Sequence, residues 1–508
     1  MPELPLEVWS NIASALQLQP MRVGDYAPDS TFLARRACLR NLCRTSSKLA
    51  AAAQPWLYET IILYANPKDR TKGPESLVQL LRSLVASPSL RRHIRHLACA
   101  LNLWPIELEG NKQHRDGVLQ EWRAMRDVVE DSPPAVKRPF VQAALLEPSD
   151  QVLAPPTWPY ARHVDAGVVD AVQLFNDDSQ APQKLLAILL CFTPKLQTLL
   201  LQGSSHADSP IRPFSDLLQY FLSQGSGDQS PVLPLLSTVL LQPDRSTLTE
   251  SWTGVQVCQD FLAHLPSLRR LDQWKTRWAR GTDNLHNCKW VDRLEEVHVA
   301  IIAPLGDIAH LVEQARALRT LGVDCVTGSP RYRVPTGTQR DLNQALLQRA
   351  ATLVQLRITG ILHDFRWLGV SLWCLSQLHR LEDLGIEYQQ LVRPGATAGE
   401  VRVPDLLPPN LRRLKLLFLQ GCDTHFETFM LTFPLDLQFA RAQGRLKRLQ
   451  KIHLEVFSAT NIDDPKQIAS IEARVVAILA LGCIFTYTLN RHERNTTQVE
   501  PWALHEFL

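Results

Sequence analysis

A six-residue phrase with apolar residues at its first, fourth and sixth positions recurs along this chain. Such a recurrence constrains the fold strongly, because a short unit that cannot bury its own apolar side chains must stack on further copies of itself. The phrase reads Leu196/Leu199/Leu201, Leu236/Val239/Leu241, Leu294/Val297/Val299, Leu318/Leu321/Val323, Leu353/Leu356/Ile358, Leu381/Leu384/Ile386, Leu411/Leu414/Leu416 and Leu449/Ile452/Leu454. Leu268/Leu271 is a further copy with Gln273 in the sixth place, and Ile94/Leu97/Cys99 is a candidate earlier one. Evenly spaced leucines also suit the core of a helix bundle. Against that reading, each phrase is short, is often followed by a polar residue or Gly, and is separated from the next by helix-like text, as at residues 183–190, 256–265, 342–350 and 372–378. The expectation is therefore an α/β fold in which a strand and then a helix repeat.

Strand followed by helix at this spacing resembles an irregular leucine-rich-repeat solenoid. The Asn or Cys usual three residues after the last apolar position is replaced by Ser204, Asp244, Ile302, Val326 and Ile361, a departure from a regular horseshoe. The repeat-like body is placed at 183–460, behind a linker and candidate first repeat at 59–103 and a non-repetitive insertion at 104–182. The insertion carries Ser132-Pro133-Pro134 and Ala154-Pro155-Pro156 around a helix expected over 115–129. Residues 461–508 form a capping segment built on a helix over about 466–481.

In a strand of this phrase the fifth position and the residue after the sixth point away from the leucine core. These places carry Trp274, His298, Asp324, Arg357, Glu387 and Lys415. The mixed surface suits a protein segment better than a polyanion, with Trp274 and Arg357 as the expected anchors.

The first sixty residues are written differently. Pro5 suits the first position of a helix, after which Val8, Ile12 and Leu16 make one apolar stripe. A polar stretch over 17–30 leads to a second helical run in which Leu39, Leu42 and Cys43 share a face. A third helix starts at Ser46 or Ser47 and is expected to stop at Pro55. Three helices with so little apolar surface need a partner, within the chain or outside it.

The text Leu4-Pro5-Leu6-Glu7-Val8 with Ile12, the run Leu39 to Leu49 and the ending Pro55-Trp56-Leu57-Tyr58 resemble an F-box, particularly its fungal form, over residues 1–58. The insertion between the first two helices is longer than the compact motif carries. The resemblance implies docking on the Skp-type adaptor of a cullin-RING ubiquitin ligase, with Leu4, Pro5, Val8, Ile12, Leu39, Leu42 and Leu49 touching the adaptor. The chain would then be a substrate receptor that recruits a client protein through its repeat body for ubiquitination. The alternative is a repeat scaffold that binds proteins without a ligase, its helices serving as a folded cap.

Charge and composition agree with a protein-binding role. Lys and Arg number 54 against 51 Asp and Glu, so no nucleic-acid partner is expected. The ten cysteines are scattered without the close pairs of metal sites or disulfide scaffolds, which suits a reducing cytoplasmic or nuclear setting. No apolar run reaches the length of a membrane span. Phosphate loops, His-Glu-x-x-His and Gly-x-Ser-x-Gly are missing from the sequence, so neither a catalytic residue, a metal nor a cofactor is expected.

Overall fold

The computed structural model describes residues 5–17, 30–63, most of 77–100, 189–203 except 191, 233–243, 261–277 except 264, 288–302, 305–326, 338–361, 371–392, 402–418, 423–458 and 475–491 except 477. The insertion at 104–182 with its expected helix, most of the segment 466–481, and Leu4 lie outside the described residues. The chain divides into two units, residues 1–274 and 275–508, taken here one at a time.

The first unit opens with three helices, α1 (Leu6–Ala15), α2 (Ser30–Thr45) and α3 (Ser47–Glu59). Pro5 stands one place before α1, where its carbonyl accepts from the amides of Val8 and Trp9 at 3.1 and 3.3 Å. Of the two serines, Ser46 caps α3, its Oγ accepting from the Leu49 amide at 3.2 Å. The third helix does not stop at Pro55 as the sequence suggests. Proline removes one amide from the helix ladder, but Trp56 and Leu57 beyond it pack on the three-helix core, and this packing carries the helix on to Glu59. That core consists of Ala13, Leu39 and Ala53, all fully buried, with Leu16, Phe32, Leu42 and Cys43 around them.

Five strands follow: β1 (Thr60–Leu63), β2 (His96–Ala100), β3 (Thr198–Gly203), β4 (Thr238–Pro243) and β5 (Arg270–Arg277). Each is parallel to its sequence neighbours. The second unit continues with β6 (Glu296–Ile302), α4 (Leu305–Gln314), β7 (Thr320–Val326), α5 (Thr338–Gln348), β8 (Gln355–Ile361) and β9 (Asp383–Glu387). After these come α6 (Tyr388–Leu391), α7 (Val403–Leu406), β10 (Arg413–Phe418), α8 (Asp423–Ala442), β11 (Lys451–Ser458) and β12 (Ile484–Arg491). Strands β6 to β12 are again parallel and paired in chain order.

Every copy of the leucine phrase, including the candidate one at Ile94, is a strand opening at the third position of the phrase. Where described, the first, fourth and sixth positions are at most 3% exposed. A second device fixes the register. The carbonyl of the second position accepts two amides from the next copy, as Arg319 does from Val354 and Gln355 at 2.8 and 2.9 Å, and as Glu382 does from Arg412 and Arg413 at 2.7 and 2.9 Å. This forked bond satisfies backbone groups that a strand start would otherwise leave orphaned, and it holds each leucine over its equivalent.

The opposite face of the first unit is drier than expected. Leu200 and Leu240, which hold the outward-pointing fifth position of their phrases, are each 2% exposed. They line up in register with Ile62 and Ala98 in one buried cluster, and Phe32 of α2 packs against that cluster, so α2 helps keep water off this side of β1 to β4.

Candidate docking surfaces

In the first unit, the periodicity of α1 divides its apolar residues between two faces. Ala13 is fully buried and Leu16 packs beside it, whereas Val8 and Ile12, one turn apart, are 37% and 42% exposed. Pro5 is exposed as well, as are Leu6 and Leu33. The sequence reading assigned no docking role to Leu6 or Leu33. Their signal was their apolar character alone, which a stripe centred on Val8 and Ile12 passes over. Leu42 and Leu49 are half-buried. Leu39 lies at the centre of the three-helix core with no exposed surface. Burial pushes the Cys43 thiol upward, so the thiol stays protonated beside this core.

In the second unit, pairing places His298, Gly322, Arg357, Gly385, Lys415 and His453 in one row across β6 to β11. Two residues before them runs a row with Glu296, Thr320, Gln355, Asp383, Arg413 and Lys451. Two residues after them stand Asp324, Thr359, Glu387, Leu417 and Glu455, every one buried. The sequence thus brings His298, Asp324, Arg357, Glu387 and Lys415 onto one face. Asp324 and Glu387 were expected to point away from the core but are 8% and 4% exposed. Trp274 lies on β5 of the first unit, and its side chain is outside the described residues.

The charges on this face are arranged as pairs. Arg413 donates to both carboxylate oxygens of Asp383, at 2.6 Å to Oδ2, and this hydrogen bond raises the guanidinium pKa above its ordinary value. Lys415 Nζ stands 2.9 Å from Glu455 Oε2. Arg357 lies 3.7 Å from Asp324 Oδ1, an oxygen that also accepts from the Thr359 hydroxyl. In each pair the base is the more exposed partner, 32% against 18%, 15% against 6% and 20% against 12%. The face therefore shows N–H donors outward over carboxylates that balance them. Such a surface offers directed hydrogen bonds more than net charge.

Among the described residues no His, Cys, Asp or Glu cluster is gathered as a metal site, and no helix is long and apolar enough to cross a membrane. No protein-family model matches the chain, and no curated protein matches it.

Proposed function

We propose that this chain is a substrate receptor of a Skp-cullin-F-box ubiquitin ligase. In this reading α1 to α3 are an F-box-like head, and the stacked strands are an irregular leucine-rich-repeat solenoid that holds a client. One observation carries the proposal: the helices complete a core around Ala13, Leu39 and Ala53 and still leave Val8 and Ile12 outward, an energetic cost that a covering partner removes. The strand-forming leucine phrases, each paired with the next, support the solenoid. Ubiquitin transfer would then depend on proximity supplied by this chain and on no catalytic residue within it.

Co-expression with a Skp-type adaptor tests the proposal. The full chain should co-purify with the adaptor, and Val8→Asp with Ile12→Asp should abolish capture while leaving thermal stability near that of the parent, because both side chains are outside the core. A chain that never retains the adaptor, or a double variant that retains it fully, counts against the docking assignment.

A second reading has its own support. Phe32 ties the helices to β1–β4, as a cap on a ligase-free scaffold would. Failure of adaptor capture together with retained protein binding by the second unit would favour it.

A further inference from the structure

A strand that ends a sheet carries a row of backbone amides and carbonyls ready to bond another chain, and folded proteins guard such edges with charge, proline or a covering element. The first strand of the first unit is guarded in this way, since Thr60, Ile61, Ile62 and Leu63 of β1 are all buried. The last strand of the second unit, β12, is open. Among the described residues it pairs with β11 alone. Its Ile484 is 62% exposed, and Thr486 and Thr488 on the same face are exposed as well. Their partners in register on β11 are better covered: Lys451 and His453 are half-buried and Glu455 is buried. Val476 and Leu479, just before β12 in the chain, are 63% and 47% exposed and lengthen this uncovered apolar end.

Charge separates β12 from the other strands of its unit. On this face β6 to β11 each carry a charged residue, Glu296, Asp324, Arg357, Asp383, Arg413 and Lys451 in turn. The corresponding places of β12 hold Ile484, Thr486, Thr488 and Asn490. Although 21% of the chain's residues are charged, none of those from Val475 to Asn490 is. A strand that pairs with a different protein can keep its charges, because the partner can match each with its opposite. A strand that pairs with a copy of itself cannot, since a two-fold axis brings every charge toward its own kind.

We propose that two copies of this chain join edge to edge through β12, antiparallel about a two-fold axis. Residues opposite one another in such a pair lie on the same side of the sheet. The register that meets this condition and leaves Arg491 outside the overlap is centred on Tyr487, which faces its own copy. Thr486 then stands opposite Thr488, Phe485 opposite Leu489 and Ile484 opposite Asn490, with no like charges in contact. Hydroxyl side chains suit such cross-strand positions. Each copy keeps its own row of paired charges, so the dimer is bivalent toward whatever the second unit binds.

Sedimentation velocity of the full chain over a range of concentrations tests this proposal. The chain is expected to sediment as a dimer that dissociates on dilution, and the β12 amides should gain hydrogen-exchange protection as concentration rises. Thr486→Lys with Thr488→Lys sets like charges opposite one another and should leave a monomer, as should Thr486→Glu with Thr488→Glu. Mixing the two double variants should restore a dimer, because each introduced lysine then faces a glutamate. Both positions are exposed and Thr486 gives up one surface contact, at 2.8 Å from His453 Nδ1, so each variant should melt close to the parent. If the variants fail to fold, the concentration dependence of β12 exchange in the parent decides alone. A parent that stays monomeric throughout, a lysine variant that still dimerises, or folded monomeric variants that do not pair when mixed would each overturn the proposal. So would a monomer whose β12 amides are already protected, which would give the edge to another segment of the same chain. Adaptor capture reports separately on the receptor reading, on which this dimer does not depend.

Discussion

Leu39 and Val8 show how differently two residues of one motif are used. Leu39 is fully buried in the three-helix core, so Leu39→Ala should cost about 2–5 kcal/mol in urea denaturation, while Val8→Ala should change stability by less than about 1 kcal/mol. Sequence reasoning placed both at the adaptor because the period of a helix shows that a stripe is apolar without showing which side the rest of the fold will cover. Gly322 offers a second test. An alanine there collides with His298 Nδ1, so Gly322→Ala should destabilise by roughly 1–3 kcal/mol and His298→Ala should recover most of the loss in a double-mutant cycle. His96 offers a third. Burial, with Arg95 beside it, lowers its pKa from 6.5 to about 4. The folded value lies below the unfolded one, so the unfolded chain takes the proton more readily. The contribution is fully present above about pH 6.5 and is lost as pH falls toward 4, up to roughly 3 kcal/mol in all. His96→Gln should flatten denaturation stability between pH 6.5 and pH 4.5; an unchanged slope would contradict this assignment.

At the scale of elements, Phe32 is the side chain that α2 contributes to two clusters, the helical core and the patch of Ile62, Ala98, Leu200 and Leu240. Phe32→Ala should therefore loosen both, by about 2 kcal/mol or more. In hydrogen exchange, α1–α3 and β1–β4 should share a common protection in the parent and separate in the variant. Helices that already exchange independently in the parent would refute this coupling. The strands themselves were legible wherever a leucine stood first in the phrase. Strands β1 and β12 were harder to read, because Tyr58 and Gly482 hold that place. Each is joined to its neighbour by the strand pairing and by a single bond at the strand start, from the Arg95 amide to Glu59 and from the Ile484 amide to Gln450, and so they are strands through context more than through pattern. The face residues were legible as a set, since alternation alone assigns a side. Their ion pairs were not, because pairing depends on which strand lies next, at separations of 30 residues for Arg413 and Asp383.

Across the molecule, apolar and charged faces are divided between the units by what covers them. In the first unit the side opposite the leucines is closed by the chain's own helix, and in the second it carries the paired charges. Raised salt should therefore weaken binding by the second unit only modestly, by a few-fold between 50 and 300 mM, since its charges are already balanced. A steep loss of client affinity in a salt titration would argue for a net field instead. The order of pairing has a further consequence. Within each unit every strand is bonded to the ones just before and just after it in the chain, so a polypeptide emerging from the ribosome would find its template already laid down. Each newly made segment could dock on the last, like courses of brick, with no need to wait for a distant stretch still to be synthesised.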